Sequence, residues 1–136
     1  MPITIHITSL YAAFFGLLLL PITIRVGLRR IATNIWFLDG GDDNLLRRIR
    51  SHANFLEYVP FAIVLMALAE LNAAPNAFMH TMGLLLISSR LMHYITINTK
   101  PLAPTRALSM LGTFGVFLMA SCWLLYAQMP SIFQSY

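Results

Sequence analysis

Four apolar runs, at residues 5–26, 53–71, 77–97 and 107–129, alternate with short polar or proline-bearing segments. Each run is close to the roughly 20 apolar residues that a helix needs to cross the hydrocarbon core of a bilayer. The pattern predicts an all-α membrane protein, a four-transmembrane-helix bundle that takes up residues 1–136 as a single domain. Between the first two runs, "DGGDDN" at residues 39–44 combines glycines that tolerate positive φ with acids that can cap a helix, so the second helix is expected to begin near Asp43 or Asn44, in water, and to climb into the membrane. "NAAPN" at 72–76 is short and uncharged, which makes helices two and three antiparallel neighbours. "NTKPLAPTR" at 98–106 has two prolines that stop helix three and let helix four start near Thr105. Pro21 and Pro60 fall inside runs one and two, where a kink at each would open room near one end of the bundle. Gly112 and Gly115 with Ala120 and Ser121 form a small-residue stretch suited to close helix packing.

Composition supports the membrane reading. Of 136 residues, 58% are hydrophobic and 10% charged, against roughly 25% charged in soluble domains. The net charge of +4 would suggest nucleic acid in a soluble protein, but here the positions of the charges decide, and no nucleic-acid partner is expected. Arg25, Arg29, Arg30, Arg47, Arg48 and Arg50 flank the first connection, and Lys100 and Arg106 flank the third. The second connection and both terminal segments lack Lys and Arg. The positive-inside rule then puts connections one and three in the cytoplasm and both termini outside it. The first run has no basic residue before it and no small-residue cleavage site after it, so it reads as a permanent span rather than a signal peptide. Cys122 reads as a small packing residue, and no metal site is expected.

The polar residues inside the runs carry the candidate chemistry. At about 100° per residue, Arg47, Arg50, Asn54, Glu57 and Phe61 fall within roughly 80° of one another on helix two, while His52 points the other way. On helix three Arg90, His93, Tyr94 and Ile97 share a face spanning about 100°. Arg90 is too deep to snorkel comfortably and needs an acidic or hydrated partner, for which Glu57 is the obvious acid. A structural ion pair locking the two helices competes with a ligand site. The whole set of cations, one acid, an amide, an imidazole and a phenol at one membrane depth suits a small anionic, water-soluble ligand with one positive group, and glutathione fits that description. Glu70 and His80, near the other end of helices two and three, read as an interfacial hydrogen bond.

"RIRSHANFLEYVP" followed by "SRLMHY" and "PTR", on a four-span chain of this length, resembles the MAPEG family, membrane-associated proteins in eicosanoid and glutathione metabolism, and its small bacterial members above all. The resemblance implies a homotrimer in a bacterial inner membrane, with one glutathione between neighbouring subunits near the cytoplasmic face. It further implies that Arg50 and Asn54 hold the peptide and its carboxylates, with Arg47 on the same stripe. Glu57 would take the ammonium or a neighbouring arginine, and Arg90 would brace Glu57. His93 and Tyr94 stand where members place aromatic or imidazole contacts, and Arg29 or Arg30 resembles the arginine ending helix one. Arg106 resembles the arginine that sits beside the sulfur in catalytic members, where a guanidinium favours the nucleophilic thiolate. Three positions depart from the pattern: Ile97 replaces a tyrosine of several relatives, Ala107 follows Arg106 where one prostaglandin-forming relative has serine, and Ala53 replaces a basic residue. The leading expectation is a glutathione transferase, with hydroperoxide reductase activity beside it, acting on lipophilic small molecules that enter from membrane lipid. Two alternatives stand next to it: a non-catalytic lipid-binding or scaffold member of the same family, and a proton-coupled multidrug exporter, which wants its acid nearer the bilayer midplane than Glu57.

Overall fold

The computed structural model describes residues 5–99 and 104–133. They form four α-helices, α1 (His6–Thr33), α2 (Asp43–Leu71), α3 (Asn76–Thr99) and α4 (Thr105–Phe133). Lys100, expected to flank the third connection, lies outside the described residues. The helices alternate in direction, because contacts at one end join the start of α1 to the end of α2, and contacts at the other join the end of α3 to the start of α4. α2 and α3 are the central pair. Both pack against α1 on one side and α4 on the other, and among the described residues α1 and α4 do not meet. The section is therefore a rhombus with α2 and α3 across its short diagonal.

Local sequence sets the boundaries. Asp42 caps α2 by accepting the Leu45 N–H at 2.6 Å, close to the predicted start. α1 continues past the expected end of its span to Thr33 and stops at Asn34, in the left-handed region at φ 54. The apolar run marks only the part in lipid, and no breaker precedes Asn34 on the way out. After Leu71, the chain turns through Ala73 at φ 57 while the Asn72 side chain donates to the Leu68 carbonyl at 2.8 Å.

α1, α2 and α4 over Thr105–Met129 are long and apolar enough to cross a membrane. α3 is somewhat shorter, and its apolar stretch is interrupted by Ser88, Ser89, Arg90 and His93. Because α3 touches all three other helices, most of those groups turn inward: Ser89, Arg90 and His93 are buried. The result is an all-α four-helix membrane bundle whose third helix is its polar spine. Its apolar core includes Phe15, Phe55, Val59, Met66, Met82 and Leu86, and the outward rows of α1 and α4, such as Leu17, Ile24, Leu111 and Leu118, are exposed as lipid-facing surfaces must be.

Two close approaches fix the helix pairs. A Cβ on Gly112 would lie 2.9 Å from Ser89 Cβ, and the Ser89 and Thr113 hydroxyls bond beside it at 3.2 Å, so the small-residue stretch of α4 serves the α3 contact within the chain. A Cβ on Gly83 would overlap the Tyr11 ring. Tyr11 is held there by a 3.1 Å hydrogen bond to His80 Nδ1. Glu70 and His80 therefore do not pair as expected. The Glu70 carboxylate instead accepts the Ile7 and Thr8 N–H groups, each at 2.8 Å, because two otherwise unsatisfied donors at a positive helix end attract an anion strongly.

Candidate functional site

At the end of the bundle where α1 and α3 finish and α2 and α4 begin, the polar residues sort into two compartments. The first is a small buried cavity between α2 and α3, lined by Ser51, Asn54, Phe55, Arg90, His93 and Tyr94. Arg90, only 3% exposed, donates to Asn54 Oδ1 at 2.8 Å and to the Ser109 carbonyl at 3.4 Å, and its guanidinium lies 5.6 Å from the centre of the Tyr58 ring. Ser109 donates its hydroxyl proton to the Arg106 carbonyl at 2.7 Å. His93 Nδ1, 3.0 Å from Ser109 Oγ, is then the donor to that oxygen, and its proton sits on Nδ1. His93 and Ser109 thus fasten the start of α4, and with it Arg106, to the last third of α3.

The Glu57–Arg90 ion pair expected from the sequence does not form. Asn54, one turn earlier on α2, meets Arg90 from the inward side, whereas Glu57 is exposed on the outward side of the same helix. Among the described residues the single ion pair is Arg29–Asp42, at 2.6 Å. A neutral amide partners Nη1 of the buried guanidinium without desolvating a carboxylate as well, and among the described residues Nε is left without a partner.

The second compartment is an open cleft of about 400 Å³ bordered by the start of α2, the end of α3 and the start of α4, with Asp43, Leu46, Arg47, Arg50, Ile97 and Arg106 along it. That volume lies within the roughly 300–1,000 Å³ of small-molecule sites. Its cations stand apart from the other arginines, which are engaged. Arg25 donates to the Tyr94 hydroxyl at 2.8 Å. Arg29 forks onto Asp42 at 3.2 and 2.6 Å, and this guanidinium, followed by the Leu45 N–H, holds the Asp42 carboxyl below its usual range. Arg30 donates to the Ile35 and Leu38 carbonyls, and Arg48 to Asn44 and the Arg25 carbonyl. Among the described residues, Arg47, Arg50 and Arg106 are the arginines whose guanidinium groups have no hydrogen-bond partner, and they share one cleft.

Seven of the ten candidate residues therefore come together at this end: Arg47, Arg50 and Arg106 in the cleft, and Asn54, Arg90, His93 and Tyr94 in the adjoining cavity. Arg29 and Arg30 serve the first connection instead, and Glu57 faces outward. Arg25 and Ser109 were not anticipated. Ser109 sits one turn after Arg106, and that spacing is the signal that could have found it; Arg25 contacts α3 across a bend of the fold that the sequence pattern does not express.

Fold and site together define a small polytopic membrane protein with a cationic, partly apolar cleft at one end. The chain belongs to the MAPEG family, whose family model matches residues 8–126. It is 40% identical over 88 residues to the inner membrane protein YecN of Escherichia coli K12, a match covering 65% of this chain and 67% of that protein. The protein of the same name in Escherichia coli O6:H1 matches with the same identity and coverage.

Proposed function

We propose that the protein is a membrane-bound glutathione transferase that works as a homotrimer in a bacterial inner membrane, with its cleft on the cytoplasmic side. The observation that carries this reading is the gathering of the uncommitted guanidinium groups of Arg47, Arg50 and Arg106 around one cleft. Two carboxylates on the ligand match a cluster of cations that makes no use of its charge within the chain, and Asp43, on the rim, offers an acid for the ammonium. Glutathione supplies the thiol. Arg106 supplies the positive field that favours the thiolate, and His93 and Ser109 fix the turn that bears it. Leu46 and Ile97 give the cleft an apolar flank by which a lipophilic electrophile can approach from lipid. The exposure of Arg50, Glu57 and Arg106 on the single chain supports a site completed by a neighbouring copy, with Glu57 reaching across.

Thiolate absorbance of bound glutathione, titrated in wild type and Arg106→Ala, tests the chemistry. The wild type is expected to hold the thiol well below its free pKa of roughly 8.5, and the variant to return it toward that value. Identical titrations in both, with no turnover of a broad electrophile panel by the wild type, would remove the transferase reading.

The apolar flank also favours a second reading, in which the cleft binds an anionic amphiphile without chemistry. Binding of a fatty acid but not of glutathione selects it.

A further inference from the structure

The connection between α1 and α2 holds the most exposed apolar cluster near the cleft. Trp36, Phe37 and Leu38 are 64%, 87% and 82% exposed, and they stand in consecutive positions. The segment is built to hold them there. Arg30 donates to the carbonyls of Ile35 and Leu38 at 3.2 and 3.0 Å, and the Trp36 indole N–H is satisfied by Asn34 Oδ1 at 3.0 Å. Asn34, Leu38, Gly40 and Gly41 all adopt positive φ. Ile35 folds over Gly40, where a Cβ would meet its Cδ1 at 2.8 Å, so the turn closes on itself and presents its large side chains outward. The Arg29 fork on Asp42 ties the far end of the segment back to α1.

Its depth follows from helix length. The 28 residues of α1 span about 42 Å, roughly 12 Å more than the hydrocarbon core. The apolar run begins with α1 and ends at Val26, so the excess lies at this end, where residues 27–33 rise about 10 Å and carry the segment to the outer headgroup layer. α1's exposed row of Leu17, Ile24, Leu28 and Ile31 leads down to it. Across residues 25–50 six arginines stand against three aspartates, a positive balance that attracts anionic headgroups. Trp is the side chain most suited to that layer. The Trp36 indole and the Ile35 and Leu38 carbonyls are bonded within the segment, so its large side chains form an apolar outward surface, while among the described residues the backbone N–H groups of residues 36–38 make no hydrogen bond. A headgroup layer, hydrated above and apolar below, accommodates both kinds of group.

We infer that residues 35–38 form an interfacial anchor that seats Trp36, Phe37 and Leu38 in the headgroup layer of the leaflet on the cleft's side. Arg47 and Arg50 open α2 immediately after this connection, so the anchor sets the cleft at the level where amphiphiles collect.

The chain has two tryptophans, and Trp123 lies near the opposite end, donating to the Asn72 carbonyl. The variant Trp123→Phe therefore leaves Trp36 as the sole reporter. It is reconstituted in vesicles of phosphatidylcholine and phosphatidylglycerol carrying spin-labelled lipid, with the label either near the headgroup or deep in the acyl chain. The expected result is severalfold stronger quenching by the shallow label than by the deep one, and weak quenching by iodide present on both faces. Iodide quenching equal to that of free tryptophan overturns the inference. Protection from iodide and from both lipid labels also overturns it, and assigns the segment to a contact with another copy. Phe37→Ser is expected to raise iodide quenching severalfold while leaving the detergent-solubilised oligomer unchanged in size; a change in size contradicts the anchor. Should Trp123→Phe fail to fold, subtracting the signal of Trp36→Phe from that of wild type isolates the same reporter.

Discussion

Arg90 is a buried cation whose partner is an amide, and its surroundings make Asn54 a structural necessity. Removing the Asn54 carbonyl leaves Nη1 without a hydrogen-bond partner, with only the long bonds to Ser109 and Met110 left to its sister nitrogen. Asn54→Ala is therefore expected to destabilise the solubilised protein by about 2–3 kcal/mol, the loss typical of a hydrogen bond to a buried charge, read as a lowered thermal midpoint. A midpoint unchanged from wild type would show that Arg90 finds another acceptor. The residue scale is also where the sequence was least legible. Helical spacing brought Arg90 and the Asn54–Glu57 stripe to facing helices, but spacing alone does not say which of two residues one turn apart points inward. Charge made Glu57 the natural choice, and packing made it Asn54. The uncommitted state of Arg47, Arg50 and Arg106 was likewise invisible, since it depends on which arginines the first connection consumes.

At the scale of elements, α1 and α2 are fastened at both ends by carboxylates that cap one helix while contacting the other. Asp42 caps α2 and receives the Arg29 fork; Glu70, from the end of α2, caps α1. The Asp42 carboxyl is held below its usual value of 3.8, first by the Arg29 hydrogen bond and then by the Leu45 N–H. A carboxyl whose folded pKa is depressed contributes stability that is fully present above its unfolded pKa and is lost as pH falls through the folded one. The stability difference between wild type and Asp42→Asn is thus expected to be constant from neutral pH to about 5 and to shrink below about 4, measured by denaturant unfolding in detergent across that range. A difference independent of pH would mean that the capping geometry alone, and not the charge, is at work. The α1–α3 pair depends on Gly83, where the Tyr11 ring takes the space a Cβ would fill. Gly83→Ala places a methyl inside that ring's space, and overpacking of this kind costs about 1–3 kcal/mol; a lowered thermal midpoint together with an altered Tyr11 environment in ultraviolet absorbance is expected. The starts of α2 and α4 were readable from capping and proline chemistry to within a residue. The end of α1 was not, because a helix that leaves the membrane continues as long as its backbone bonds continue, whatever the hydropathy of its side chains.

For the molecule as a whole, the apolar runs fixed a four-helix membrane bundle, but they did not reveal that α3 is its polar spine. The same Ser, Arg and His residues that lower the apolarity of α3 make sense only once three neighbours cover them, which is a property of the packed bundle rather than of the segment. That arrangement leaves one polar end, with a buried network that holds α4 in place and an open cleft of uncommitted cations beside it. The claim that this cleft is a glutathione site stands or falls on binding. Isothermal titration of the detergent-purified protein with glutathione, beside Arg47→Ala and Arg50→Ala, is the measurement to make: saturable binding by wild type, weakened about tenfold or more in each variant as charge-assisted contacts are lost, is the predicted result. No binding by wild type, or affinity indifferent to both arginines, would contradict it.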